Sequence, residues 1–282
     1  MVTLNRLDKA HQAQAIRCLI EGNSIRSTVR MTGVAKNTVV KLLVAVGSAL
    51  SRYQDEKLRN LHCQRIQCDE IWSFVYARQK NVTSEIADPQ IAGDVWTWTA
   101  IDAETKLIPC WLVGKRDAVS AEEFIKDLAG RLENRVQLTT DRLKVYLSGI
   151  VGAFDEEIDY AILHKIYGAD RQTEARYSPA ICTGCEKKPT IGDPDPKHIS
   201  TGYVERQNFT MRMSMRRFTR LTNAFSKKVE DHAASIALYL MWYNFGRIQQ
   251  TLKMTPAMRS GLSFTLWTVE EILALADGSA SD

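Results

Sequence analysis

Residues 65–79 read RIQCDEIWSFVYARQ. Aromatic and β-branched side chains dominate the stretch, which predicts a strand. Two adjacent acids, Asp69 and Glu70, interrupt its centre. A carboxylate is disfavoured inside a strand unless an ion pair, an exposed edge or a metal ion offsets the burial of its charge. Side chains alternate between the two faces of a strand, so Glu70 is expected to point away from Asp69 and from any metal that Asp69 holds.

Working downstream, VWTWTAIDAETK (95–106) and LIPCWLVGKR (107–116) read as two further strands, joined by a turn at 102–106 and forming an antiparallel meander with the first. AVSAEEFIKDLAGRL (118–132) reads as a helix with a capping box from Ser120 to Glu123. VQLTTD (136–141) is a fourth strand ending at Asp141, LKVYLSGIVGAF a short helix and DYAILHKIYG a fifth strand. The order βββαβαβ is followed by a helix beginning near Tyr203, within YVERQNFTMRMSMRRF (203–218). This is an α/β pattern with a mixed sheet and flanking helices. It puts Asp69 inside the first strand, Asp141 at the end of the fourth and Glu205 near the start of a late helix, where ligands gather in open α/β sheets. At about 100° per residue, Glu205, Phe209, Arg212, Arg216 and Arg220 share one helix face. That face is suited to phosphate.

Charge is unevenly spread. Residues 1–60 carry a net +6, residues 61–204 a net −5, residues 205–260 a net +7 and residues 261–282 a net −4. Two basic blocks favour a polyanion partner, because each neutralised phosphate releases counterions. The start, MVTLNRLDKAHQ, has no apolar segment of the secretory kind, and the longest apolar run, 233–245, is too short to span a bilayer and reads as a buried helix. Six cysteines without an export signal suggest reduced thiols in a cytosol.

Within residues 1–50, one helix carries Ala10, Ala13, Ile16, Leu19 and Ile20 at helical spacing and stops at Gly22 and Asn23. A short helix over about 24–31, a turn at Thr32-Gly33-Val34 and a helix from Lys36 then match a helix-turn-helix, with Val29, Val34, Val39, Leu42 and Leu43 closing a small core. Lys36, Asn37, Thr38 and Lys41 at the head of the last helix are side chains that read bases or grip phosphates. Residues 51–64 read as a helical linker.

IQCDEIWSFV, LTTDRLKVYL and the long segment from Tyr203 to Glu230 resemble the three acidic motifs of the insertion-sequence-1 family of DDE transposases, and GNSIRSTVRMTGVAKNTVVKLL resembles that family's helix-turn-helix. The similarity runs over roughly residues 5–260. It implies an RNase H-like catalytic domain over 65–260, with Asp69, Asp141 and Glu205 as the catalytic and metal-holding triad. It also implies two Mg²⁺ or Mn²⁺ ions, with cleavage and strand transfer at insertion-sequence ends. Many such enzymes carry a basic residue seven positions after the Glu, which here is Arg212. Double-stranded DNA, as terminal inverted repeats and target, is the implied partner. A homodimer is expected because two ends are handled together. Arg206, Arg212, Arg216, Arg217 and Arg220 are the DNA-gripping candidates of the late helix. Three carboxylates suit oxygen-loving Mg²⁺ independently of the resemblance.

Some segments fit less closely. Residues 171–201 form an insertion carrying Cys182-Thr-Gly-Cys185, expected as a hairpin over the site with two free thiols rather than half a zinc site. His198 reads as a surface histidine. YNFGRIQQTLKMTP (243–256) resembles a closing motif of transposases and integrases but has Gln249 where many have His, leaving Asn244 and Arg247 as DNA contacts at most. Residues 261–282 hold a C-terminal helix with a capping box from Thr268 to Glu271. The alternative reading is a helix-turn-helix regulator with an inactive nuclease-like domain. A glycosidase using an acid pair would need neither the basic helix nor the DNA-binding module.

Overall fold

The strand expected around Asp69 forms over Arg65–Val75 (β1) and becomes the third strand of a six-stranded sheet. The protein is seen in a computed structural model that describes residues 7–86, 92–168, 182–219 and 222–278. Gly93–Asp102 (β2) pairs antiparallel with β1, and Trp111–Gly114 (β3) pairs antiparallel with β2. On the other side Gln137–Thr140 (β4) runs parallel to β1, and Asp159–Tyr167 (β5) runs parallel to β4. A sixth strand, Cys182–Ile191 (β6), closes the edge antiparallel to β5, giving the order β3-β2-β1-β4-β5-β6.

β6 corrects the expectation of a hairpin projecting over the site. Residues 182–191 extend the sheet, and Gly192 at φ +65° turns the chain away where a side chain would meet the Asp159 carboxylate. A register shift between Ile166 and Tyr167 places the free thiols of Cys182 and Cys185 3.9 Å apart. Residues 171–181 of the insertion lie outside the described residues.

Alternation along β1 divides the core. Ile66 and Cys68 face one cluster with Trp98, Phe124 and Tyr146, under helices Ala118–Ala129 (α4) and Val145–Phe154 (α5). Ile71 faces the other, with Val204, Met211 and Leu240 from helices Gly202–Ser214 (α6) and Val229–Met241 (α7). α4 is capped by Asp117, whose carboxylate accepts from the Ser120 amide at 2.9 Å. The capping box expected at Ser120 does not form. Asp117 is itself a strong cap, and the Ser120 hydroxyl instead accepts from the Lys115 amide at 3.2 Å.

The N-terminal helices are Lys9–Ile20 (α1), Ile25–Thr32 (α2) and Lys36–Lys57 (α3). Ser24 caps α2 and Gly33, at φ +72°, ends it. The axes of α2 and α3 differ by 115°. α3 is one continuous helix through residue 50, so residues 51–57, expected in a linker, are its last turns. Its residues Leu43, Val46 and Leu50 join Ala13 and Ile16 of α1 in the same cluster as the β1 side chains Ile66 and Cys68. Gly47 lets α3 press against α7: a Cβ there would lie 2.5 Å from the Ala234 Cα. Arg131 donates to the Gln54 and Leu58 carbonyls at 3.1 and 3.2 Å, closing the helix's C-terminal end with positive charge.

α7 continues into a wide turn over Trp242–Gly246, followed by Pro256–Arg259 (α8) and Val269–Ala276 (α9). The capping box at Thr268 and Glu271 is present, and Ile272 and Leu273 pack into the main core. No single described helix is long and apolar enough to cross a membrane.

Candidate active site

β4 stops at Thr140, while β1 runs on past its last pairing with β4 at Gln67–Thr139. Asp141 therefore stands at an open strand end beside Asp69 and Glu70. Among the described residues, the carboxylates of Asp69, Glu70 and Asp141 form a group whose oxygens lie within 4.8 Å of one another. This corrects the expectation that strand alternation keeps Glu70 away. Glu70 does sit on the opposite face of β1, but Asp141 lies beyond the end of its own strand and meets acids from both faces. The Glu70 carboxylate is fully enclosed and accepts from Arg116 Nε at 3.0 Å. Arg116 also reaches to 3.8 Å of Asp141 and stacks 4.7 Å above the Trp96 ring.

The crowding has an electrostatic signature. Burial, with the charge of Asp141 adding, pushes the Asp69 carboxyl up to about 6. Burial also pushes Glu70 up to about 7, against the pull of the Tyr146 hydroxyl and Arg116. The Tyr146 hydroxyl and Glu70 Oε1 are both buried without a well-formed hydrogen bond, although each group is felt by the other. Such a set of oxygen donors, short of positive charge and with one orphaned oxygen, fits a hard divalent cation.

α6 is docked on this cluster by two contacts. Gln67, on the same face of β1 as Asp69, accepts from the Tyr203 and Val204 amides at 2.8 and 3.2 Å and so caps the helix start. Asn208 donates to the Asp69 carboxylate at 2.8 Å. Glu205, one turn before Asn208, is carried beside the cluster, and its charge is felt at Asp69. It does not join the group of three. Lys165 of β5 pairs with one of its oxygens, and the Thr201 hydroxyl donates to the other at 2.6 Å.

The basic candidates are dispersed. Lys36, Asn37 and Lys41 are exposed and Thr38 half-buried on the first turns of α3. Arg206 is exposed and lies over the Phe209 ring, and Arg212 is half-buried and engaged. α6 ends at Ser214 because Met215 adopts an extended backbone, φ −125°, ψ 105°. Arg216 and Arg217 thus belong to a following short 3₁₀ turn, not to the helical arginine face that the spacing predicts. Arg216 is exposed, whereas Arg217 is turned inward and donates to the Ser226 hydroxyl at 2.6 Å. Arg220 lies outside the described residues. Asn244, expected as a DNA contact, is fully buried and holds both backbone groups of Ile108 at 3.0 and 2.9 Å. Arg247 is exposed. His198 sits against Arg65 and Asp195 rather than at the acids.

Sequence reasoning missed Gln67, Asn208, Arg116 and Lys165. The signal for the first two was available: Gln67 precedes Asp69 by two residues on a strand, and Asn208 follows Glu205 by three on a helix, so each shares its acid's face. Nothing local marks Arg116 or Lys165.

A DDE-domain family, DDE_Tnp_IS240, matches residues 91–177, a span that includes β2 to β5 and Asp141. No curated protein matches the chain. Among solved structures, the chain is similar to the piggyBac transposase synaptic complex with hairpin DNA, at 9% identity and a TM-score of 0.44, covering 98% of this chain and 72% of that one. It is also similar to the Mos1 strand transfer complex, at 11% identity and a TM-score of 0.24, covering 83% and 78%.

Proposed function

We propose that the protein is a transposase that binds insertion-sequence ends and cleaves and transfers DNA strands with divalent metal. The observation that carries this reading is the meeting of Asp69 and Glu70, in the middle of β1, with Asp141 at the open end of β4, beneath the helix that brings Glu205. It draws support from the DDE-domain match over residues 91–177.

In this reading Asp69 and Asp141 hold Mg²⁺ or Mn²⁺, and Glu205 completes a two-ion site. Two such ions, when bound, activate a water or 3′-hydroxyl and stabilise the leaving oxygen. The protein's own groups do the rest. Asn208 fixes the rotamer of Asp69, and Gln67 fixes the start of α6. Arg116 neutralises Glu70 and steadies Asp141. Lys165 holds Glu205 beside the site until a cation competes for it. α2 and α3, crossing at 115°, fall in the range of roughly 90–120° for a helix-turn-helix, and the head of α3 offers Lys36, Asn37, Thr38 and Lys41 to the major groove of a terminal repeat. A homodimer handling two ends, in a bacterial cytoplasm and near the nucleoid, completes the proposal.

The test is Mg²⁺-dependent nicking of a supercoiled plasmid carrying the element's ends. Asp69→Asn and Asp141→Asn should each reduce it by about 10³-fold or more, given the scale of metal-assisted charge stabilisation. Full activity in either variant would defeat the assignment. The pairing of Glu205 with Lys165 favours one second reading, a DNA-binding regulator whose nuclease-like domain is inactive. That reading requires no nicking by the unaltered protein.

A further inference from the structure

A cavity of about 700 Å³ opens between the N-terminal helices and the chain that joins α6 to α7. Arg26, Arg30, Lys36, Arg216, Arg217 and Lys227 line it, against one carboxylate, Asp231. The remaining lining includes the apolar side chains Leu43, Met215 and Leu238. The cavity is therefore strongly cationic with apolar walls.

Arg217 sharpens the point. Its guanidinium donates to Ser226 Oγ and to the Asp231 carbonyl at 2.6 and 3.2 Å, but no carboxylate lies within ion-pair distance among the described residues. Burial lowers its pKa to about 10. The Ser226 hydroxyl that receives Arg217 is itself fixed by His232, 3.1 Å away, which in turn meets Ser73 at 2.9 Å. Arg217 is half-buried, and the one acid whose charge reaches it, Asp231, lies beyond ion-pair distance, which leaves the guanidinium able to take an anion from the cavity. The volume lies in the range of roughly 300–1,000 Å³ typical of small-ligand sites, too small for a double helix whose major groove alone is about 12 Å wide.

We propose that this cavity binds nucleoside phosphate, presented as one or two unpaired nucleotides of a DNA strand. The apolar walls take the base and the surrounding cations take the phosphodiesters. Lys36 belongs both to the cavity and to the head of α3, so the strand would pass from the cavity onto that helix. The identification of the source as a DNA strand rests on the proposed function; the preference for nucleoside phosphate rests on the cavity alone.

The experiment is fluorescence anisotropy of labelled tetrathymidylate on the full chain, without divalent metal, across a salt series. Two variants probe the cavity: the charge reversal Arg30→Glu with Lys227→Glu, and the neutral, space-filling Ala224→Trp. Thermal unfolding serves as the check that each is folded. Both should bind at least about tenfold more weakly than the unaltered protein. The charge reversal should also flatten the slope of log affinity against log salt by about 0.7 for each phosphate that is no longer neutralised. Folded variants that bind tetrathymidylate as the unaltered protein does would overturn the proposal. Thymidine monophosphate should displace the strand only at higher concentration; tighter binding of the mononucleotide would overturn the strand as the source. Because binding is read without metal, it is separable from the acid cluster. Absence of Mg²⁺-dependent nicking by the unaltered protein would defeat the transposase reading and leave the anisotropy result standing, while unchanged anisotropy would remove the cavity site alone.

Discussion

Asn208 donates a 2.8 Å hydrogen bond to the Asp69 carboxylate, across 139 residues of chain. It ties helix α6 to strand β1 and favours the ionised form of Asp69 against burial. Asn208→Ala should therefore cost about 1.5–3 kcal/mol of positioning and charge stabilisation, the range for a hydrogen bond to a charged group. Plasmid nicking at neutral pH should fall roughly tenfold to a hundredfold. The acidic limb of the pH profile should also move upward. A profile of unchanged shape would reduce Asn208 to a packing residue.

Metal-free stability should depend on pH through the same acids. Asp69 has an ordinary value of 3.8 and lies at about 6 when folded; Glu70 has an ordinary value of 4.5 and lies at about 7. The folded chain thus binds more protons than the unfolded one between about pH 4 and 7, and stability falls as pH rises through that window. The stabilisation is complete below about pH 4 and gone above about pH 7. Its scale is roughly 3 kcal/mol per group. Urea unfolding in a chelator across pH 4–8 measures it. Asp69→Asn should remove its share of the slope, and a slope unaltered by that change would contradict the assignment.

Lys165 pairs with Glu205, so a metal ion taken up there under the proposed function would have to displace it. Replacing it by Met keeps the apolar stem and removes the charge. Calorimetric titration should then show Mn²⁺ binding several-fold more tightly, since one competing ion pair of about 1 kcal/mol is gone. Weaker Mn²⁺ binding in Lys165→Met would mean that Lys165 orients Glu205 toward the metal rather than away from it.

Gln67 and Asn244 separate positioning from stability. Gln67→Leu leaves the first amides of α6 without their cap, at a cost of about 1–2 kcal/mol. It should reduce nicking more than it reduces the melting temperature, because Glu205 lies in the uncapped turn. Asn244→Leu strands both backbone groups of Ile108 and should cost about 2–3 kcal/mol in chemical unfolding. Its effect on DNA affinity, measured on folded protein, should be nil; a drop in affinity would restore Asn244 as a DNA contact.

The sheet was legible because β1 to β5 announce themselves by aromatic and β-branched content, and the turns between them by composition. The helices at 9–20 and 36 onward were legible from apolar spacing and from Gly33. β6 was not, because CTGCEKKPTI carries few strand formers; it is a strand because the exposed edge of β5 offers backbone partners. At the site, strand position was enough to bring Asp69 and Asp141 together, whereas Glu205 stands beside that pair on Lys165 and Thr201. The inclusion of Glu70 was hidden because alternation describes a strand within its ladder, whereas Asp141 lies past the end of one. Lys165 and Arg116 were hidden because ion pairs between distant elements leave no local pattern. The arginine face after Glu205 failed at Met215, where tertiary packing of Met215 and Phe218 overrides helical continuation.

The unbroken course of α3 has a mechanical consequence. Its 22 residues span about 33 Å at 1.5 Å per residue. Its head exposes Lys36, Asn37 and Lys41, and its middle is clamped at Gly47 against Ala234. Whatever the head grasps is held at a fixed standoff and bearing from the acids, as by a strut without a hinge. Under the proposed function, bringing a scissile bond into reach would then fall to the curvature of the double helix, and flexible base steps in the flanking DNA should set turnover.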